Sequence, residues 1–303
     1  MALSSEQIPE ALDALRSFLR GEKADGRERL DLSRDSLERL RALPERLRQR
    51  PSAPPPTPRL AETPPHQEST PEPEKAREAR PGGLHPPGTT KAEKIRWLAE
   101  QAEQCQECRG LGTLRDVMVF SVGNPDADLM FVGEAPGFEE ERQREPFVGP
   151  AGQKLTAIIK AMGLRRPEDI YISNIVKFRP ADGDPRFQGQ RNRKPTPVEM
   201  AAAVKYVLAE IEVVRPRAIV ALGATAAEGL LGISGSIARM RNQFHDLRGI
   251  PVMVTYHPSY LLRQESNSPD GGKADKRKVW EDMLMVMERL GLPISEKQRG
   301  YFA

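Results

Sequence analysis

No apolar run in these 303 residues approaches the ~18–20 that a membrane helix needs, and the start, with its acidic Ser5-Glu6, lacks the pattern of a secretory signal. Cysteine is nearly absent: Cys105 and Cys108 are the whole complement, too few for a disulfide framework and suited to a reducing compartment. Charge imbalance is small too. Forty-six basic and 43 acidic residues leave a formal +3, so bulk composition does not mark a nucleic-acid binder. A soluble, cytoplasmic chain is expected, without a membrane partner, and its length admits one large domain or two small ones.

Residues 5–20 set Ile8, Leu12, Leu15 and Leu19 at helical spacing, and Leu37, Leu40, Leu43 and Leu47 repeat it. Residues 1–50 thus read as two short amphipathic helices, too small for a substantial core and open to a protein partner. From Pro51 to Gly88 the chain carries twelve prolines and almost no large apolar residue. Burial there cannot offset ordering entropy, so residues 51–88 read as a disordered linker, with His66 and His85 as plain exposed histidines.

The folded body is expected over 89–303. A helix with Ile95, Trp97 and Leu98 leads into Cys-x-x-Cys. Four near-continuous apolar strands follow, at 128–133, 169–174, 217–222 and 250–256. They alternate with helices across 152–162, 197–214, 223–231 and 276–290. That alternation predicts a three-layer αβα domain around a four-stranded parallel sheet.

In such sheets ligands bind beyond the carboxyl ends of the strands, and the unusual residues fall there: Gly133-Glu-Ala-Pro-Gly137, Asn174, Gly223 and His257. Each has an ordinary reading as turn, cap or helix start; their coincidence is the stronger signal. His245, in what reads as a polar loop, carries little functional weight. After His257-Pro258 come Ser259, Tyr260, Leu261, Leu262 and Arg263, read as a loop. A histidine at a strand exit beside two leucines and an arginine suits an enzyme that opens a duplex and works on one base. Two local basic runs, Lys177 to Lys194 and Lys273 to Lys278, are either solvated charge or phosphate contacts.

Five motifs in order carry a resemblance: Val132-Gly-Glu-Ala-Pro-Gly137, Glu145-Pro-Phe-Val-Gly-Pro-Ala-Gly152, Tyr171-Ile-Ser-Asn-Ile-Val-Lys-Phe-Arg-Pro180, Asn192-Arg-Lys-Pro195 and His257-Pro-Ser-Tyr-Leu-Leu-Arg263. Together, from about Ala92 onward, they resemble the family 4 uracil-DNA glycosylases, repair hydrolases of αβα fold that cut uracil from DNA and leave an abasic site. The resemblance implies that His257 donates to uracil O2 as the base departs, Asn174 reads the uracil edge and Phe147 stacks on the flipped ring. It places Glu134 and Ala135 on the pocket floor, Glu140 at the C5 edge where thymine's methyl would sit, and Asn192 on the attacking water. Ala181–Arg191 reads as an insertion before that asparagine. Gly149 and Gly152 open a helix offered to phosphate, and Ser259, Leu261, Leu262 and Arg263 match the DNA-contacting segment that wedges the duplex.

One departure concerns the metal. The family typically holds a [4Fe-4S] cluster on four cysteines. Cys105 and Cys108 match the first pair, Phe178 stands where the third belongs, and Ala201-Ala-Ala-Val204 offers no fourth. The expectation is vestigial ligands, no stable cluster and no cofactor needed for the chemistry. A monomeric glycosylase acting on uracil-containing DNA is the leading reading; a DNA-binding or damage-sensing module with weak or no catalysis is the alternative.

Overall fold

A computed structural model of the chain describes residues 84–183 and 187–302. The expected helices of residues 1–50, most of the linker and His66 lie outside the described residues. Leu84, assigned to the linker, packs on Leu98, Ala209 and Val213, so the folded body begins at least five residues before residue 89.

The body opens with α1 (Lys91–Glu103) and α2 (Gln106–Gly110), then β1 (Leu114–Met118), β2 (Val122–Gly123) and β3 (Leu129–Gly133). It continues through α3 (Phe138–Gln143), α4 (Pro150–Ala161), β4 (Ile170–Asn174), β5 (Phe178–Pro180) and α5 (Pro197–Val214). The rest is β6 (Ala218–Leu222), α6 (Ala224–Leu231), α7 (Ile237–Met240), β7 (Phe244–Leu247), β8 (Ile250–Thr255), α8 (Pro258–Asn267), α9 (Lys273–Leu290) and α10 (Glu296–Arg299). Local chemistry explains the long helices. Thr90 with Glu93 and Thr196 with Glu199 form capping boxes before α1 and α5, and Pro150 and Pro197 take the first helical positions, where no amide is needed.

The main sheet runs β2-β4-β3-β6-β8-β7. Its four central strands are parallel and are the four expected from their apolar runs. Two antiparallel edges extend the expected sheet to six: β2 against β4 and β7 against β8. The sequence hid them because β2 has two residues and β7 is only half-buried, so neither shows a continuous apolar run. His245 therefore sits in an edge strand, bonded to Met240 O, and not in a loop. A separate pair joins β1 to β5, and β5 occupies part of what read as a long loop after the second expected strand.

Alternation along β3 divides the core. Met130 and Val132 face a cluster with Ala203, Val207 and Ala226 from α5 and α6. Leu129 and Phe131 face Leu155 and Ile159 of α4 and Trp280, Met283 and Val286 of α9. Helices thus cover both faces, the three-layer arrangement expected. Among the described residues no helix is long and apolar enough to cross a membrane.

Candidate active site

Parallel register brings the strand ends level. Gly133 lies opposite Asn174, and Leu222 opposite Thr255, so Glu134, Asn174, Gly223 and His257 emerge side by side. Beyond them opens a cavity of about 500 Å3, lined by Glu134, Ala135, Glu140, Phe147, Asn174, Asn192, Ser259 and Arg263 among others. The size suits a small ligand. A hollow of about 540 Å3 on the outer side of Phe147, lined by Thr156, Lys160 and Arg166 among others, has none of these strand-end groups.

His257 caps α8. Its Nδ1 accepts from the Ser259 amide at 3.1 Å and lies 2.8 Å from the Ser259 hydroxyl. An amide can only donate, so Nδ1 is the acceptor and a neutral ring carries its proton on Nε2. Burial, helped by the Arg263 charge, pushes the His257 pKa down to about 4, so the ring is neutral at pH 7 and can still donate through Nε2–H. Gly223 (φ +92°) has no side chain to intrude, and a Cβ there would lie 3.1 Å from the His257 Cβ.

A stability effect follows from this shift. Above the ordinary value of 6.5 both folded and unfolded histidine are neutral; between 6.5 and about 4 only the unfolded chain takes up the proton. Acidification across that window should cost up to ~3 kcal/mol through His257 alone. Glu134, raised by burial, acts in the opposite sense, so the informative quantity is wild type minus His257→Gln. Denaturant midpoints at pH 6.5 and 4.5 should show the wild type losing more; parallel losses would refute the assignment.

Asn174 is 2% exposed and its Oδ1 has no hydrogen-bond partner. An unmet buried acceptor is costly unless something arrives to satisfy it. Its backbone is held from behind, because Lys177 Nζ donates to Asn174 O (3.1 Å) while paired with Glu210 (2.5 Å). A Cβ built on Gly133 would lie 2.4 Å from both Asn174 Oδ1 and Phe147 Cζ, so the bare glycine lets amide and ring approach each other over the floor. Phe147 has φ +56° and is 6% exposed, with its ring centroid 5.8 Å from that of His257. That backbone costs of order 1–3 kcal/mol. Arg166 holds it by donating to Phe147 O (2.7 Å) and Pro146 O (2.6 Å).

Asn192 stands at the rim. Arg179 Nε donates to its Oδ1 (2.9 Å); a guanidinium has no acceptor, so the amide orientation is fixed, and Nδ2 lies on the side of Gly137. Glu140 accepts from the amides of Gly137 (3.1 Å) and Gly149 (2.9 Å) and so ties both loops. Glu134 accepts from the Thr225 hydroxyl, and Ala135 packs at the edge of the core.

Several expectations need correction. Leu261, Leu262 and Arg263 are not in a loop but in α8, and Leu261 is 2% exposed, so it cannot wedge a duplex as placed. Pro258 opens that helix at its first position, the other role open to a proline after a strand. The Gly149 amide is occupied by Glu140 and is not free for phosphate. Gly152 serves the aromatic loop: a Cβ there would lie 1.8 Å from Phe147 O. In the first basic run, Lys177 and Arg179 are buried in ion pairs with Glu210 and Glu141, and Arg193 is paired with Glu199. In the second, Lys276, Arg277 and Lys278 pair with Glu265, Glu281 and Asp275. Sequence reasoning missed Arg166, Arg179 as a clamp, and Thr225. Arg179 lies in the Lys-Phe-Arg-Pro motif; Arg166 and Thr225 have no sequence signal.

The cysteine pair does not fit a [4Fe-4S] cluster. Cys105 and Cys108 are buried in one core cluster with Phe178, Ala202, Ala203 and Tyr206. Burial pushes the Cys108 thiol up to about 12, whereas at Cys105 burial is outweighed by hydrogen bonds with Tyr206 and Cys108, which bring that thiol down. Two thiols are half of what such a cluster needs, and Phe178 and Ala201-Ala-Ala-Val204 supply no others. Among the described residues no three His, Cys, Asp or Glu side chains gather as metal ligands.

A mostly parallel sheet covered by helices on both faces, with a cavity at its strand ends, defines a three-layer α/β domain, and the chain belongs to the uracil DNA glycosylase superfamily, whose family model matches residues 120–284. Within it the resemblance is to type 4. The type-4 uracil-DNA glycosylase of Thermotoga maritima is 43% identical over 180 residues, covering 59% of this chain and 88% of that protein. The type-4 enzyme of Archaeoglobus fulgidus is 35% identical over 173 residues (54% and 81%), and that of Saccharolobus solfataricus 36% over 174 (54% and 76%).

Proposed function

We propose that this chain is a uracil-DNA glycosylase of base-excision repair, hydrolysing the N-glycosidic bond of an extruded deoxyuridine. The observation that carries the reading is the unpaired, buried Asn174 Oδ1, set in one cavity with Phe147 and the neutral, Nε2-protonated His257. Uracil N3–H would satisfy that oxygen, and the amide N–H would donate to O4. Cytosine presents an acceptor and a donor at the same places, so it pairs only if the amide turns over.

As the bond breaks, negative charge grows on the base and positive charge on the sugar. The Nε2–H of His257 stabilises the developing anion at O2, and Phe147 stacks on the ring. Asn192 holds the attacking water through its amide N–H. Because its oxygen is taken by Arg179, the acceptor for the water's proton must be another group; Glu134 borders the same cavity and fills that role. Glu140, pinned by two amides, forms the wall at C5.

Free uracil should be released from a dU oligonucleotide and not from its dC or dT counterparts. Residues 1–50 would serve a protein partner, so a chain lacking residues 1–83 should keep its excision rate within about twofold. The cut falls before Leu84, which belongs to the core. Tight binding of dU-DNA without release would instead favour a non-catalytic damage sensor.

A further inference from the structure

We propose that the buried Lys177–Glu210 pair is a positioning device for base recognition, fixing the strand end from which Asn174 reads the uracil edge. The inference rests on the glycosylase reading and names the residues that aim its reader. An amide kept free for a ligand cannot be aimed by bonds to its own oxygen, and Asn174 Oδ1 has no partner. Its direction must come from packing and from the backbone that carries it. Three bonds hold that backbone. The Ile175 amide donates to Gly133 O (3.0 Å) and the Val176 amide to Glu134 O (3.1 Å), tying the exits of β3 and β4 together. Lys177 Nζ closes the turn on Asn174 O (3.1 Å).

The ammonium is fully committed. Its three hydrogens meet three acceptors: Asn174 O, Ser173 Oγ (2.5 Å) and Glu210 Oε2 (2.5 Å). The Ser173 hydroxyl donates in turn to Glu210 Oε2 (2.7 Å), and the Tyr171 hydroxyl to Oε1 (3.1 Å). With the Tyr171 proton spent on a carboxylate, the Ser121 hydroxyl, 2.5 Å away, is the donor of that contact. Every bond direction from Ser121 to Asn174 is therefore fixed. Lys177, Ser173 and Glu210 are all buried, and Glu210 comes from the 18-residue α5, packed on this face of the sheet. Buried ion pairs seldom stabilise more than apolar side chains of the same size, although a lone partner is costly. What an apolar pair cannot do is donate to Asn174 O.

The test uses the full chain carrying Lys177→Met and Glu210→Gln together. The new glutamine still accepts from Tyr171 and can donate to Ser173, so the network stays bonded without charge while Asn174 O loses its donor. Melting should stay within about 5 °C of the wild type, and affinity for undamaged DNA within about twofold. Inhibition by free uracil should weaken about tenfold, and single-turnover release should slow by about 10². Val286→Ala opens space in α9, in the other half of the core. It should lower the melting temperature by several degrees yet leave uracil inhibition unchanged, so a merely loosened core does not mimic the result. Should the double variant fail to fold, Ser173→Ala takes its place. It removes the hydroxyl bridging the two charges, frees the ammonium to leave Asn174 O, and should weaken uracil inhibition about threefold or more. Uracil inhibition equal to the wild type in the folded variant would overturn the positioning role and leave the glycosylase reading standing. A wild type that neither releases uracil nor is inhibited by it would sink the reading beneath.

Discussion

Replacing His257 with alanine should slow uracil release in a single turnover by about 10²–10³, the usual cost of losing one donor aimed at developing negative charge. The loss should appear in the chemical step and not in affinity for DNA, because the uncharged ring contributes most when charge has moved onto O2. The geometry also predicts how the remaining donor behaves with pH. A histidine of ordinary pKa would change form near 6.5, whereas His257, pushed down to about 4, keeps one protonation state from neutrality to well below pH 6. The His257-dependent part of the rate, wild type minus His257→Ala, should thus be free of a transition near 6.5. Quenched-flow release of labelled uracil from pH 5 to 8 checks both statements. A variant losing less than about fivefold would remove His257 from the chemistry.

What the chain reveals of this arrangement depends on how local the signal is. The four inner strands announce themselves because burial on both faces forces unbroken apolar runs such as Leu129-Met-Phe-Val132. His257 was legible for a similar reason: a strand ending in His-Pro leaves few places for the ring. The same proline misled beyond that point, since it ends a strand and opens a helix equally well, and only packing of α8 against α4 decides. The basic run from Lys177 failed more deeply. Lys177 and Arg179 look like surface charges until Glu210 and Glu141, 33 and 38 residues away, are placed beside them. Partners at that separation leave no periodicity. Arg166, which sets the backbone of Phe147, is equally silent in sequence.

Gly133 gives the second large effect. Its φ is not in the left-handed region, so alanine there meets no backbone strain; the obstacle is space. A Cβ at 2.4 Å from Asn174 Oδ1 and 2.4 Å from Phe147 Cζ is closer than real contacts allow, and both neighbours are buried. Overpacking of this kind costs about 1–3 kcal/mol, enough to lower the melting temperature by several degrees without unfolding a domain of this size. The functional loss should be far greater, because the two side chains that must move are those proposed to read and to stack on the base, and small misplacement at a reacting centre costs about 10². Gly133→Ala is expected to bind undamaged DNA normally, release uracil at least 100-fold more slowly, and lose inhibition by free uracil. Gly110→Ala, where a Cβ meets nothing within 4 Å, is the control and should match the wild type. If Gly133→Ala stays folded and excises uracil within tenfold of the wild type, the base does not rest on Asn174 and Phe147.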